Sequence, residues 1–207
     1  MYSYENDLLK QGFNFIVGVD EVGRGPLAGG VLACAVILDP KNKIEGLDDS
    51  KKLTAKKREK LALEIKDKSL CYAYGYVNEK IIDKINIYQA SKLAMLRAIS
   101  YLRKKPDYIL SDAMPLKEQD IPFNAIIKGD SLSASIAAAS ILAKVKRDEI
   151  MDKFSSRYPI YDFAKNKGYP TKYHVEKLTE YGPCDIHRLT YKPVKDSLIT
   201  QIILEGF

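Results

Sequence analysis

The fold is decided by Ile16-Val17-Gly18-Val19-Asp20-Glu21-Val22-Gly23-Arg24-Gly25-Pro26-Leu27-Ala28-Gly29-Gly30. The β-branched residues at its start predict a buried strand, and its glycines and proline end that strand sharply. Two adjacent acidic residues, Asp20 and Glu21, stand at the end of the strand, where like charges repel and raise each other's pKa. The pattern therefore predicts a cation at this point of the chain.

The three residues that follow Val22, Gly23-Arg24-Gly25, form what we call the glycine turn. Without a Cβ at its two glycines, backbone N–H groups can approach a ligand closely. Two other interpretations of this segment exist. The two acids could simply face water, and residues 23–28 match the GxGxxA pattern of a dinucleotide-binding turn. That pattern must open a helix, whereas residues 29–38 have the composition of a strand, which disfavours dinucleotide binding.

Composition predicts one sizeable domain and an anionic partner. The 207 residues suffice for one well-buried core with a small appendage. Lys and Arg total 33 against 27 acidic residues, giving a net charge of +6 and a pI near 9.0. This balance favours a partner such as nucleic acid.

Cysteine usage and hydropathy predict a cytoplasmic protein without a membrane segment. Three cysteines are an odd number and lack CxxC spacing, so neither a disulfide framework nor a zinc site is indicated. The longest apolar run, residues 26–38, is too short to span a bilayer, and no charged-then-apolar leader opens the chain.

The order of predicted elements is that of a mixed α/β fold. An antiparallel hairpin comes first, a third strand follows a basic helix, and helices then alternate with short strands. We predict strands at 13–20, 28–38, 70–77, 108–111 and 124–127, and helices at 54–65 (capped and strongly basic), 78–101 (two short helices or one bent), 131–154 and 172–181. Taken by itself, Asp130 could be the N-cap of the long helix at 131–154, which is the alternative to a functional role.

Four acidic residues stand at chain breaks in this pattern: Asp20, Glu21, Asp112 and Asp130. Such hard oxygen ligands suit Mg²⁺ or Mn²⁺ and suit zinc poorly. Two such ions about 4 Å apart can promote the in-line displacement of a phosphodiester. That chemistry needs the four side chains to converge, and the order of elements permits it.

The string Asp20-Glu21-Val22-Gly23-Arg24-Gly25-Pro26-Leu27-Ala28-Gly29 resembles the signature of the type 2 ribonucleases H, the ribonuclease HII family. Further similar segments lie at residues 49–53, 82–95, 128–130 and 143–148, and a looser one at 187–194. The resemblance implies a ribonuclease-H-like fold, with a catalytic domain over residues 1–160 and a C-terminal helical segment over 161–207 that contributes to substrate binding.

The resemblance also implies an activity. It is that of an endonuclease that cuts the RNA strand of RNA/DNA hybrids and incises on the 5′ side of a ribonucleotide embedded in duplex DNA. The products would be a 3′-hydroxyl and a 5′-phosphate. Asp20 would bridge two divalent ions, and Glu21, Asp112 and Asp130 would complete their sites.

The same resemblance implies the substrate contacts. The glycine turn would read the 2′-hydroxyl, the group that distinguishes RNA from DNA at a given position. Tyr169 would pack on the sugar next to the cut, although it could instead be a buried tyrosine. Phosphate contacts are assigned to residues of the similar segments, namely Ser50, Lys51, Lys52 and Lys144. Six of residues 51–60 are Lys or Arg, and such a run can also be a solvated helix face.

Two alternatives to this function remain open. Another two-metal nuclease of the same fold is one, although type 3 ribonucleases H usually carry an added N-terminal domain and only about a dozen residues precede the first strand here. A non-catalytic hybrid-binding module is the other, but it would not need four acids near phosphate. We expect a monomer. The tail spacing of Gln201, Leu204 and Phe207 resembles a sliding-clamp-binding peptide, or is an ordinary helix end.

Overall fold

The computed structural model describes residues 1–118 and 120–204, with side chains through residue 199. Its residues form two compact units. The first comprises Met1–Val22, Leu32–Tyr76 and Ser91–Val145, and the second comprises Gly23–Val31, Val77–Ala90 and the described chain from Lys146 onward. These limits differ from the segments 1–160 and 161–207, whose separate roles stay a prediction.

A five-stranded sheet forms the centre of the first unit. Its strands are β1 (Ile16–Val22), β2 (Val31–Leu38), β3 (Ser69–Val77), β4 (Tyr108–Asp112) and β5 (Phe123–Ile126), in the spatial order β3-β2-β1-β4-β5. β1 pairs antiparallel with β2 and parallel with β4, which in turn pairs parallel with β5. The predicted mixed sheet is confirmed.

Both strands of the hairpin begin later than predicted. β1 starts at Ile16 and not at residue 13, because the Asp107 carboxylate accepts the N–H groups of Asn14 and Phe15 at 2.7 and 2.9 Å. It continues to Val22, which pairs with Leu32 of β2, so Asp20 and Glu21 lie within the strand and not after it.

β2 starts at Val31 and not at residue 28. The residues before Val31 form their backbone hydrogen bonds elsewhere in the second unit. The Leu27 N–H donates to the Gly168 carbonyl at 2.7 Å, and the Gly29 N–H donates to the Ile186 carbonyl at 2.8 Å. A segment whose N–H groups are used in this way cannot extend the sheet ladder.

Helices cover the remaining regular structure of the described chain. They are α1 (Ser3–Lys10), α2 (Ala55–Lys68), α3 (Glu79–Ile85), α4 (Ile87–Ser100), α5 (Gly129–Leu132), α6 (Ala134–Arg157), α7 (Phe163–Asn166), α8 (Lys172–Tyr181) and α9 (Lys192–Leu204), with a 3₁₀ turn at Pro159–Tyr161. The predicted cap of α2 is confirmed, because the Thr54 side chain accepts the Lys57 N–H. None of these helices is both long enough and apolar enough to cross a membrane.

The long helix predicted at 131–154 is wrong at its start, because the chain forms two helices that break at Ser133. The break is held by Glu5 of α1, whose carboxylate accepts the Ser133 hydroxyl at 2.6 Å and the Ser135 N–H at 2.9 Å. Glu5 thereby caps α6 from another helix. Asp130 is consequently not an N-cap; it lies in the first turn of α5, whose N-cap is Lys128.

Each unit has its own apolar cluster. In the first, Leu8 of α1 packs with residues of three strands and with Ile136 of α6. α6 lies very close to β1, since a Cβ built on Gly18 would be 2.1 Å from the Ser135 carbonyl carbon. In the second, the buried cluster includes Leu27, Met151 and Phe163. The tail residues Gln201, Leu204 and Phe207 have side chains outside the described part.

Candidate functional site

The first two carboxylates of the site lie at the carboxyl end of β1. In the parallel pairing of β1 with β4, Val19 is opposite Ser111, so the next residue of each strand is an aspartate, Asp20 or Asp112. Neighbouring strands lie about 4.8 Å apart, which brings these two backbone positions together. The Asp20 Oδ1 atom also accepts the N–H of Glu21 at 2.7 Å.

The fourth carboxylate is joined to this edge through the backbone of α5. The Asp112 Oδ1 atom accepts the Gly129 N–H at 2.8 Å, which fixes the start of α5 against the end of β4. Asp130 is the next residue and is buried. We call Asp20, Glu21, Asp112 and Asp130 the carboxylate cluster.

The electrostatics of the cluster are those of crowded like charges. The pKa of Asp20 is raised well above its usual range by burial and by the charges of Glu21 and Asp112, although a hydrogen bond with Ser140 opposes this. Burial, together with the charge of Asp112, also raises the pKa of Asp130. Two carboxylates of the cluster are therefore destabilised in their ionised form, a condition that a bound cation relieves.

The donor set fits a hard divalent cation by its chemistry, since it consists of carboxylate oxygens alone. Among the side chains of residues 1–118 and 120–199, however, no three His, Cys, Asp or Glu residues are already arranged as a metal cage. Burial and repulsion between the carboxylates raise the pKa of Asp20, and a divalent cation would offset that repulsion.

A lysine side chain, that of Lys51, faces this cluster. Its Nζ lies 4.0 Å from Asp130 Oδ2, and its side chain is 82 % exposed. Partial burial of the ammonium group acts against its charge, but Asp49 and Asp130 together raise the pKa of Lys51. The ammonium group is thus held close to the carboxylates while remaining open to solvent.

The other residues assigned to phosphate contact are placed differently from one another. Ser50 is buried, and its hydroxyl lies 3.0 Å from that of Ser140, the residue that hydrogen-bonds Asp20. It therefore supports the cluster from within. Lys52 Nζ lies 3.3 Å from both the Asp48 carboxylate and the Ser131 hydroxyl, and Lys144 is half-buried on α6.

The glycine turn belongs to the second unit and has a constrained backbone. Gly23 has φ of +97°, which favours glycine, and a Cβ there would lie 2.3 Å from Arg147 Nε. Arg24 and Gly25 are exposed. A Cβ on Gly25 would lie 3.6 Å from the Tyr169 ring, so the turn and this tyrosine are neighbours.

Two buried arginines that were assigned no role from the sequence surround this turn. Arg188 donates to the carbonyls of Gly23, Arg24 and Gly29. Arg147 donates to the carbonyls of Ala28, Gly30 and Lys167. Both lie in segments already singled out for their resemblance, but no local pattern marks an arginine as buried.

The two histidines of the chain, His174 and His187, fix the backbone of Tyr169 through hydrogen bonds. The Cys184 N–H donates to His187 Nδ1 at 2.9 Å, so the neutral ring carries its proton on Nε2. That proton is directed at His174 Nε2, 3.0 Å away, and His174 Nδ1 then donates to the Tyr169 carbonyl at 2.8 Å. This chain of three hydrogen bonds fixes the backbone of Tyr169.

The ring of Tyr169 is not a core tyrosine, because the residue is 41 % exposed. The alternative of a buried tyrosine is therefore wrong. An exposed aromatic ring with a fixed backbone is suited to stacking on a sugar or a base.

Comparisons with known proteins agree with one another. The model of the family described as Ribonuclease HII matches residues 17–194. A Ribonuclease HII of Listeria monocytogenes is 49 % identical over 197 residues, which are 95 % of this chain and 75 % of that protein.

Two solved structures extend the likeness to three dimensions. The ribonuclease H2 of Pyrococcus horikoshii superposes with a TM-score of 0.79 at 28 % identity, covering 93 % of this chain and 100 % of the other. The RNase HII in a PCNA:RNase HII complex from Archaeoglobus fulgidus gives 0.70 at 26 % identity, covering 81 % and 88 %.

Proposed function

We propose, from the premise that the chain belongs to the ribonuclease HII family and is a ribonuclease H, that it cleaves RNA in RNA/DNA hybrids and incises 5′ to a ribonucleotide embedded in duplex DNA. The reaction is hydrolysis of a phosphodiester that leaves a 3′-hydroxyl and a 5′-phosphate. The observation that carries the proposal is the carboxylate cluster, where burial and like charge raise the pKa of Asp20.

The carboxylate cluster is the proposed site of two divalent ions, Mg²⁺ or Mn²⁺. Asp20 would contact both ions, and Glu21, Asp112 and Asp130 would complete the coordination. When bound, such ions neutralise the charge that develops on the phosphate oxygens and lower the pKa of the attacking water. The hydrogen bonds that already hold Asp112 on Gly129 and Asp20 on the Glu21 N–H orient these carboxylates beforehand.

Substrate contacts are proposed for both units. In the first, Lys51, Lys52 and Lys144 would hold phosphates, which supplies affinity without reading sequence. In the second, the glycine turn would recognise the 2′-hydroxyl and Tyr169 would pack on the adjacent sugar. The net charge of +6 favours such polyanionic substrates.

The proposed state in the cell is a monomer in the cytoplasm. Contact with a sliding clamp through Gln201, Leu204 and Phe207 is proposed as well. It is supported by the tail spacing and by the Archaeoglobus fulgidus relative, whose RNase HII is in complex with PCNA.

The test is cleavage of a DNA duplex that carries one ribonucleotide, with Mg²⁺, Mn²⁺ or a chelator. We expect metal-dependent incision 5′ to the ribonucleotide, and a loss of about a thousandfold or more in Asp112→Asn. Asp7→Asn is the matched control, because Asp7 is an exposed aspartate of the same unit that pairs with Lys10. It should cleave like the unchanged chain.

Two results would contradict the proposal. Tight binding of the duplex in chelator, with no incision under any metal, would indicate the non-catalytic binding module. Incision within long hybrids but not at a single ribonucleotide would retain the ribonuclease H activity and remove the proposed reading of one 2′-hydroxyl.

A further inference from the structure

Arg188 has an unusual environment for a charged side chain. It is fully buried, at 0 % exposure, and its guanidinium donates mainly to backbone carbonyls. Nη2 reaches the Gly23 carbonyl at 2.5 Å and the Gly29 carbonyl at 2.7 Å, Nε reaches Gly29 at 2.9 Å, and Nη1 reaches the Arg24 carbonyl at 2.8 Å. One side chain therefore fixes two successive carbonyls of the glycine turn.

Fixing these carbonyls also fixes the N–H groups of the same peptide units. A trans peptide is planar, and its C=O and N–H point in opposite directions; no cis peptide occurs in the described chain. Because the Gly23 and Arg24 carbonyls point at Arg188, the N–H groups of Arg24 and Gly25 point away from it. Arg24 and Gly25 are also the exposed residues of the turn.

Tyr191 adds a second contact to the same carbonyl. Its hydroxyl donates to the Arg24 carbonyl at 2.8 Å and accepts from Arg188 Nη1 at 2.9 Å. The planar fork of a guanidinium can make several such bonds at fixed angles, whereas a lysine ammonium is a point charge on a flexible stem. Lysine at this position would thus keep the charge and lose the geometry.

We propose that Arg188 is a positioning residue for recognition of the 2′-hydroxyl. It holds the glycine turn so that the N–H groups of Arg24 and Gly25 face the substrate and donate to the 2′-oxygen of the ribonucleotide. The proposal rests on the proposed function, and it specifies which chain element prepares the ribonucleotide-reading surface in advance.

The experiment measures binding by fluorescence anisotropy in chelator, where no cleavage occurs. Two duplexes are compared, one with a single ribonucleotide and one of DNA throughout, and the ratio of their Kd values is the discrimination. Repulsion by the uncompensated carboxylates weakens binding of both duplexes alike, so the ratio isolates the 2′-hydroxyl. In Arg188→Lys we expect the discrimination to fall by about tenfold, the effect of losing one to two hydrogen bonds.

Arg147→Lys is the matched control. Arg147 is also buried and packs against Gly23, but the three carbonyls to which it donates belong to Ala28, Gly30 and Lys167, so it holds no carbonyl of the glycine turn through these bonds. We expect this variant to lose thermal stability and to keep the discrimination of the unchanged chain. Equal loss of discrimination in both lysine variants would overturn the proposal, as would full discrimination in a folded Arg188→Lys.

Two further outcomes are decisive. If Arg188→Lys does not fold, Tyr191→Phe decides the question, because it removes one hydroxyl from the Arg24 carbonyl and should reduce the discrimination by about threefold. An unchanged ratio there would overturn the proposal. If the unchanged chain itself does not prefer the ribonucleotide duplex, the proposed reading of the 2′-hydroxyl by the glycine turn fails, and the role of Arg188 fails with it. The proposed nuclease activity is judged separately, by the cleavage assay.

Discussion

The carboxylate cluster is built from side chains whose charges repel one another, whereas the carbonyls of the glycine turn face the buried cation of Arg188. In the cluster, burial and the charges of Glu21 and Asp112 raise the pKa of Asp20. In the turn, Arg188 donates to the carbonyls of Gly23 and Arg24. Without a ligand, the carboxylate cluster has unfavourable charge repulsion, whereas the carbonyls of the glycine turn already accept hydrogen bonds.

This difference follows from the ligands proposed for each region. A divalent cation releases enough energy on binding to offset the repulsion between carboxylates. A single 2′-hydroxyl offers only one or two hydrogen bonds, each contributing about 1 kcal/mol, so its donors must be held in place beforehand. The two regions should therefore respond in opposite ways to changes in charge, shape and pH.

The largest effect is expected from Asp20→Asn, which tests whether the cluster is strained. Activity should fall by about a thousandfold or more. Stability in chelator should rise by about 1 kcal/mol, a gain of roughly 2–4 °C in Tm for a chain of this size, because the buried charge disappears. Asn retains an oxygen that can accept the Glu21 N–H.

Thermal unfolding with and without Mn²⁺ supplies the readout. The unchanged chain should gain Tm when Mn²⁺ is added, and Asp20→Asn should gain much less. If Asp20→Asn has a lower Tm than the unchanged chain in chelator, charge repulsion in the cluster does not destabilise the folded protein.

Gly23→Ala tests the opposite property of the glycine turn. A methyl group at a φ of +97°, placed 2.3 Å from Arg147 Nε, should destabilise the protein by about 2 kcal/mol. Gly25→Ala is the control, since its Cβ would make an ordinary 3.6 Å contact with Tyr169. It should change the free energy of unfolding by less than about 0.5 kcal/mol.

Urea denaturation of the two alanine variants separates stability from recognition. Both should lose discrimination for the ribonucleotide, Gly23→Ala because its methyl group displaces the turn from Arg147 and Gly25→Ala because its methyl group lies in the proposed reading surface. Only Gly23→Ala should be destabilised. Equal stability of the two variants would mean that the turn is freer than its hydrogen bonds indicate.

The sequence was sufficient to predict the features that depend on residues close together in the chain. The hairpin, the strand that ends on Asp112 and the Thr54 cap each follow from residues close together in the chain, and each is confirmed. The edge that gathers Asp20 and Asp112 follows from the parallel pairing of β1 with β4, which the order of elements permitted.

Features that depend on distant residues could not be predicted in this way. The break at Ser133 is held by Glu5, 128 residues away, so the apolar pattern across residues 131–154 gave no sign of it. Arg188 contacts a carbonyl 165 residues away. A buried arginine and an exposed arginine look alike in sequence, because burial is decided by what packs around them.

The smallest effect concerns pH and contrasts the histidine chain behind Tyr169 with the carboxylate cluster. Burial and the neighbouring His174 lower the pKa of His187 to about 3. In the unfolded chain a histidine binds a proton below about pH 6.5, whereas folded His187 stays neutral down to about pH 3. The contribution of His187 to the free energy of unfolding is therefore fully present above about pH 6.5 and declines as the pH falls toward 3. The slope is about 1.4 kcal/mol per pH unit for each such histidine. Asp20 has the opposite sign, because a raised pKa in the folded state makes acidification stabilising there.

In His187→Asn the side-chain oxygen can still accept the Cys184 N–H, and the variant should be about 1 kcal/mol less stable at pH 7.5. Urea denaturation between pH 7.5 and 4.5 should then give a shallower decline than in the unchanged chain. Parallel profiles would mean that His187 takes up a proton as readily in the folded protein as in the unfolded chain. The chain of hydrogen bonds to Tyr169 would then have to run in another direction.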